Sequence, residues 1–378
     1  MDFSLSEEQK MIKDAVEKYI RNDYDFDARN KAIASEEGFS RKTWQQFAEL
    51  GWLGVAFPED AGGFGGGPVE TNIMMEAFGY GMLVEPYLAT IVLGGNALIF
   101  GGNNAQKENV LASVIAGQTL LALAFAEEES GYNLANIKTK AEKSGDGFSI
   151  SGKKVVVIGG AWADKIIVAA RTSGEENDER GISLFLVDSK ASGVAVNAYK
   201  TMDGARGANM QFNKVSVSED DLVGELDDGY QLLEKIIDYG ICAACSEALG
   251  AMAALNEKTL AYMKTREQFG VPIGSFQVIQ HRMVDMFMAV ESCRSMVLML
   301  GLKVTNDNVV ERKKAVSAAK VYLGQNARSC AQEAVQLHGG IGMSEELDIG
   351  HYFRRLTLFC SLFGSTDYHL NRFADLSV

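Results

Sequence analysis

Cys242 and Cys245, three residues apart, are the first candidates for redox or metal chemistry, because a C-x-x-C pair can close a disulfide or supply two thiolates to one ion. The pair sits in an alanine-rich run of helical periodicity, where this spacing stacks two small apolar groups on one face, so it reads as packing. The chain has five cysteines, an odd number without framework spacing, which fits a reducing compartment better than a disulfide scaffold. Two glycine-bearing clusters are the other candidates. Arg266-Glu267-Gln268-Phe269-Gly270 reads locally as an exposed helix end, and Gln336-Leu337-His338-Gly339-Gly340 as a helix stop.

The elements that must position these groups follow from periodicity. Ser4 and Ser6 precede Glu7, Glu8 and Gln9, a helix-start signature, and Met11, Ile12, Ala15, Val16, Tyr19 and Ile20 recur at helical spacing. A second helix carries Trp44, Phe47 and Leu50 and stops at Gly51, and helical pattern resumes from Val69 to about Leu120. The period then changes to short runs at Phe148 to Ser151, Val155 to Val157, Ile166 to Val168, Ile182 to Val187, Val194 to Val196 and Met210 to Val217, which read as strands. Three long stretches follow, Tyr230 to Thr265, Phe276 to Val304 and Val309 to Leu337, with i, i+3, i+4 apolar spacing. The expected fold is α+β: an N-terminal helical domain over 1–120, a middle β-barrel or sandwich domain over 121–228 and a C-terminal antiparallel four-helix bundle over 229–378.

Composition narrows the function classes. Of 378 residues, 47% are hydrophobic and 23% charged, which excludes a disordered chain or a coiled-coil rod. Lys and Arg number 36 against 50 Asp and Glu, a net charge of −14 that argues against a broad nucleic-acid surface. Met1-Asp2-Phe3-Ser4 lacks the layout of a secretory signal, and the greasiest run, Leu88 to Phe100, is too short for a bilayer. A soluble, cytoplasmic protein is expected, with no nucleic-acid or membrane partner.

Gly51-Trp52-Leu53-Gly54-Val55, Phe57-Pro58-Glu59-Asp60-Ala61-Gly62-Gly63, the stretch from Arg266 to Ile273, Phe276-Gln277 and the stretch from Gln336 to Gly342 occur in the order and spacing of acyl-CoA dehydrogenases. Over essentially its whole length the chain resembles that family. The resemblance implies FAD as cofactor and α,β-dehydrogenation of an acyl-CoA thioester, in which the flavin accepts a hydride from Cβ while a carboxylate removes the Cα proton. The family holds that carboxylate, a Glu, either just before a Gly-Thr/Ser pair near the C-terminus or early in the first long bundle helix. Here the first position is Phe363, ahead of Gly364-Ser365-Thr366-Asp367. The second is Gly240, beside Ile241 where the family commonly has Arg. Neither side chain takes a proton. The nearest substitutes are Asp367 and Asp238, and the catalytic residue stays unassigned.

In a family dimer each FAD lies between subunits, one chain's β-domain holding the ring and the other chain's bundle gripping the pyrophosphate and adenine. The ring-holding motif resembling V-T-E-P-G-A-G-S-D reads Phe125-Ala126-Glu127-Glu128-Glu129-Ser130-Gly131-Tyr132-Asn133 here, which replaces a hydroxyl donor by Ala126 and adds two carboxylates. The motif resembling W-I-T-N-G reads Val156-Val157-Ile158-Gly159-Gly160, without the stacking indole; Trp162, six residues on, is a candidate replacement but reads better as a packed or loop tryptophan. The other half is intact. Arg266 offers a planar fork to a pyrophosphate, Phe269 an apolar wall, Gln277 an amide to an adenine edge, and Gln336 with Gly339 and Gly340 a close main-chain approach. Ser365 and Asp367 are weaker cofactor candidates.

Together these features imply the non-catalytic partner in a heteromeric acyl-CoA dehydrogenase, of the α2β2 kind with one FAD per heterodimer. A catalytic acyl-CoA dehydrogenase subunit and an acyl-CoA are then its partners, with an electron-transfer flavoprotein as the family's expected acceptor. The alternatives are a homomeric enzyme with a relocated base and a flavin-free binding or assembly protein of the same fold.

Overall fold

Ser6 starts the first helix as the sequence predicts. Its hydroxyl accepts from the Gln9 N–H at 3.2 Å while the Gln9 side chain accepts from the Ser6 N–H at 3.0 Å, a reciprocal cap for α1 (Glu7–Asp23). The computed structural model describes residues 4–377, so Met1, Asp2 and Phe3 of the opening stretch lie outside the described residues. Helices α2 (Phe26–Ala34), α3 (Arg41–Glu49), α4 (Pro68–Tyr80), α5 (Asn96–Gly101) and α6 (Ala112–Ile115) complete the first part of the chain. The greasy run beginning at Leu88 forms a buried π-helical segment, Leu88–Gly95, that leads into α5. The expected α+β class is the observed one.

Contacts divide the chain into two compact units, one made of Ala32–Gly67 and Val84–Gly240. Its centre is a sheet of β1 (Leu121–Ala124), β2 (Lys140–Ser144), β3 (Gly147–Ile158), β4 (Lys165–Arg171), β5 (Ile182–Asp188), β6 (Val194–Lys200), β7 (Arg206–Ser218) and β8 (Leu222–Val223). The order is β6-β7-β3-β2-β4-β5-β8, with β1 parallel to β4. The runs read separately at Phe148 and Val155 are one twelve-residue strand, bent by two bulges against β7. Gly152 sits at the first bulge, where a Cβ would lie 2.4 Å from Thr139 Oγ1. Ile150, Val168, Phe185, Val187, Met210 and Val215 are buried in one cluster, and this apolar filling holds the loops that leave β1 and β3.

The second unit takes the chain up to Lys31, Pro68–Leu83 and Ile241 onward. Helices α7 (Gly229–Thr265), α8 (Gln277–Lys303) and α9 (Val309–His338) match the three long apolar stretches within a residue or two. They are followed by α10 (Ile349–Phe359) and α11 (Thr366–Asp375). In this unit α4 and α7 cross with their backbones in contact: a Cβ on Gly79 would lie 1.9 Å from the Glu247 carbonyl oxygen, and one on Gly250 1.8 Å from that of Glu76. By length and composition α7 is apolar enough to cross a bilayer, but 89% of its most apolar window is buried in the protein, as expected of a core helix.

Candidate functional site

Phe363 and Gly240, the two positions at which the resemblance places a base, lie in different local settings. Phe363 occupies the turn between α10 and α11 in the left-handed region, at φ +57°, where a bulky residue is strained. Its carbonyl accepts from His369 Nε2 at 3.1 Å, and the next residue, Gly364 at φ +129°, could not carry a Cβ without meeting that ring at 2.4 Å. Ser365 caps α11, its hydroxyl accepting from the Tyr368 N–H at 3.1 Å, and Asp367 is exposed in the helix's first turn. Burial pushes the His369 pKa down to about 3, so the ring is neutral at pH 7. Because Nε2 faces a carbonyl it carries the proton, which leaves Nδ1 to accept from Ser317 Oγ at 3.3 Å. In the same unit Lys320 is fully buried, donates to the Phe359 carbonyl at 2.6 Å and has its pKa pushed down to about 8 by burial.

Gly240 and Ile241 are buried inside α7, and Asp238 is fully buried. Glu247, two turns beyond Gly240, is a nearly buried carboxylate that the sequence reading did not consider. It is held by Arg355, whose Nε donates to Glu247 Oε1 at 3.1 Å. With its carboxylate engaged by that guanidinium, Glu247 reads as a clamp between α7 and α10.

The residues expected to serve a cofactor from outside flank the ends of α7 and α9 and the start of α8. Tyr262, in the last turns of α7, stacks on His338 at the end of α9, with ring centroids 4.5 Å apart. Lys258 pairs with Asp348 at 2.8 Å, which ties α7 to the segment after α9. Beyond Arg266 the chain makes a hairpin, β9 (Glu267–Gln268) with β10 (Val271–Pro272), closed by the Ile273 N–H donating to the Arg266 carbonyl at 2.8 Å. Its two turn residues, Phe269 and Gly270, both have positive φ, +57° and +79°. A two-residue turn of this kind favours Asn or Gly, yet it holds a phenylalanine that is 92% exposed. Phe276 meets that ring edge-on at 6.2 Å. Arg266, Gln277, Gln336, Gly339 and Gly340 are all exposed. A Cβ on Gly339 or Gly340 would meet nothing within 4 Å, although Gly339 needs its φ of +66°.

The sheet unit holds the remaining motif positions. Glu127 Oε1 accepts from Lys154 Nζ at 2.7 Å and the Thr139 N–H at 3.0 Å, and Oε2 from the Lys138 N–H at 2.9 Å. Lys154 is fully buried and also donates to the Phe125 carbonyl at 3.1 Å. Burial lowers its pKa to about 8 against the opposing pull of Glu127. Burial works to raise the Glu127 pKa, but the lysine and the hydrogen bonds outweigh it and hold the carboxyl below its ordinary value. Of the two added carboxylates, Glu129 pairs with Lys138, and Glu128 is exposed. Val156, 57% exposed at φ +52°, stands in the second bulge of β3. The Trp162 indole N–H donates to the Glu37 carbonyl and its ring packs edge-on against Phe39 at 5.1 Å, so this tryptophan is engaged in packing. Cys242 and Cys245 are buried as well, and the Cys242 thiol donates to Asn72 Oδ1 at 3.3 Å. Among the described residues no group of three or more His, Cys, Asp or Glu side chains could hold a metal ion.

Sequence comparison fits this geometry. Family models for the acyl-CoA dehydrogenase N-terminal, middle and C-terminal domains match residues 6–118, 122–215 and 227–376. Mitochondrial isovaleryl-CoA dehydrogenase of Pongo abelii is 30% identical over 361 residues, 94% of this chain and 85% of that protein. The chain belongs to the acyl-CoA dehydrogenase family. Two solved structures are similar to it throughout. The ChsE4-ChsE5 complex from Mycobacterium tuberculosis contains a chain 25% identical, with a TM-score of 0.90 over 99% of this chain and 98% of that one. A variant of the Tcur3481-Tcur3483 steroid ACAD is 27% identical, with a TM-score of 0.88 over the same shares.

Members of the acyl-CoA dehydrogenase family bind FAD, and the residues of this chain fit one part of that molecule better than another. Arg266, Gln277 and Gln336 are exposed groups of a kind suited to a phosphorylated nucleotide approaching from outside the unit, and the main chain at Gly339-Gly340 is open to close approach. At the ring-holding positions Ala126, Val156 and Ile158 supply no hydroxyl or indole. The Val156 N–H is already spent on Asn209 Oδ1 at 3.2 Å.

Proposed function

We propose that this acyl-CoA dehydrogenase family chain is the flavin-completing, base-less subunit of a heteromeric acyl-CoA dehydrogenase. The observation that carries the reading is Phe363 in the base position, with Gly240 at the alternative one. FAD, when bound, supplies the hydride acceptor. This chain's Arg266 would hold the pyrophosphate of a flavin whose ring rests on the catalytic subunit, Gln277 and Gln336 would orient the nucleotide, and Gly339-Gly340 would let main chain approach it. The proton would be taken by a Glu of that partner. The similarity to two assemblies named by paired subunits supports a heteromer, and the form proposed for it is α2β2 with one FAD per pair. An acyl-CoA is the substrate class and an electron-transfer flavoprotein the expected acceptor. The division at 120 and 228 is retained as the proposed domain organisation, and the free cysteines support a cytoplasmic setting.

The test is FAD retention by the assembled complex. Arg266→Ala removes charge-assisted hydrogen bonds and should weaken FAD binding roughly 10- to 100-fold with assembly intact. Gly340→Ala should weaken it in the same direction without destabilising the chain, because a Cβ there meets nothing within 4 Å in its own subunit. Wild-type FAD affinity in both mutant complexes, measured by flavin quantitation after size-exclusion chromatography, would overturn the assignment.

A further inference from the structure

A second recess lies wholly within the helical unit, between α1, α4, α7 and α8, and none of the residues assigned above to flavin or proton transfer lines it. Its volume is about 440 Å³, within the range of small-molecule sites. The recess is bounded by the α4–α7 crossing, where the backbones touch at Gly250 and Glu76 and cannot approach further. Gly301 on α8 keeps the opposite wall thin, since a Cβ there would lie 2.7 Å from Asn72 Nδ2. Ile20, Ile73, Leu249, Ala253, Val297 and Leu298 supply an apolar interior.

The charges around it are not all paired. Glu76 pairs with Arg294, and Glu17 lies 3.8 Å from Lys13. The remaining cation, Arg21, makes no ion pair among the described residues. Its guanidinium lies over the Tyr80 ring at 5.9 Å, and the Tyr80 hydroxyl donates to Glu257 at 2.8 Å. Arg21 thus stands without an ion pair at the edge of an apolar recess.

We propose that this recess binds a medium-chain carboxylate, a free fatty acid, with its alkyl chain between the four helices and its head group on Arg21. A neutral alcohol satisfies the walls but not the arginine, and an alkylammonium is repelled by it.

Isothermal titration of the full chain with octanoate, decanoate and dodecanoate below their micellar concentrations tests the proposal. Affinity should rise about fourfold per methylene as the recess fills. 1-Decanol should bind at least tenfold more weakly than decanoate. Arg21→Ala should remove that difference, lowering decanoate affinity about tenfold and leaving decanol unchanged. Ala253→Phe, which fills the recess, should abolish binding of both; should that variant fold poorly, Leu298→Trp at the half-exposed wall provides the same block. No binding at millimolar decanoate, equal affinity for decanoate and decanol, or fatty-acid binding unchanged by Arg21→Ala and by both blocking variants would each overturn the proposal. The last result would locate the fatty acid at another site.

Discussion

Glu127→Gln should be among the most damaging conservative substitutions in the sheet unit. It changes one atom type beside a fully buried ammonium, Lys154 Nζ, at 2.7 Å, whose pKa burial already pulls to about 8 with the carboxylate in place. The amide keeps at most one acceptor oxygen, so either the lysine or the Lys138 N–H loses its partner. Removing one member of a buried ion pair costs about 3–5 kcal/mol. The lysine's escape by deprotonation sets a ceiling: stripping a group of ordinary pKa 10.5 at pH 7 costs about 5 kcal/mol. The expected loss is therefore about 3–5 kcal/mol at pH 7. It should shrink as the pH rises from 7 towards 8, by up to roughly 1.4 kcal/mol per unit, because the unfolded state holds a proton that the folded variant has released, and level off above pH 8, where the native lysine releases its proton as well. Removing both charges, with Lys154→Met added, should restore most of the stability. Urea unfolding followed by circular dichroism measures all three. A loss below about 1 kcal/mol for the single variant, or a double variant as unstable as the two singles summed, would refute the buried-pair reasoning.

Two further outcomes follow from the turn at Phe363. His369 has a folded pKa of about 3 against an ordinary 6.5, so the unfolded state binds the proton first. Stability should fall by up to roughly 1.4 kcal/mol per unit as the pH drops from 6.5 towards 3, and His369→Gln should flatten that part of a pH series of urea midpoints. Phe363→Glu should not by itself yield an efficient dehydrogenase, because a carboxylate works only opposite a flavin ring, and Ala126, Val156 and Ile158, at the positions the resemblance assigns to that ring, offer neither hydroxyl nor indole. Acyl-CoA-dependent dye reduction at the rate of an ordinary family member would contradict that reading.

The sequence made the long helices legible because α7, α8 and α9 keep one apolar period over 37, 27 and 30 residues, more signal than any local exception can mask. Strand β3 was legible only in pieces, since its bulges interrupt the alternation at Gly152 and Val156. The hairpin at Phe269 escaped because its strands are two residues each and its first turn residue is a phenylalanine, where turn chemistry calls for Asn or Gly. The cofactor candidates were named from motif order alone, which needs no structure. The Lys154–Glu127 and Arg355–Glu247 pairs were not, because 27 and 108 residues separate the partners and neither type alone signals burial. The recess at Arg21 draws on four helices and leaves no local pattern at all.

The central claim, that this chain completes a flavin site whose ring and base lie on another subunit, is tested most directly by the flavin absorbance of the chain purified alone and after co-expression with a catalytic acyl-CoA dehydrogenase subunit. The account predicts a nearly colourless chain alone and one FAD per pair in the complex. A yellow, near-stoichiometric flavoprotein obtained without any partner would contradict it.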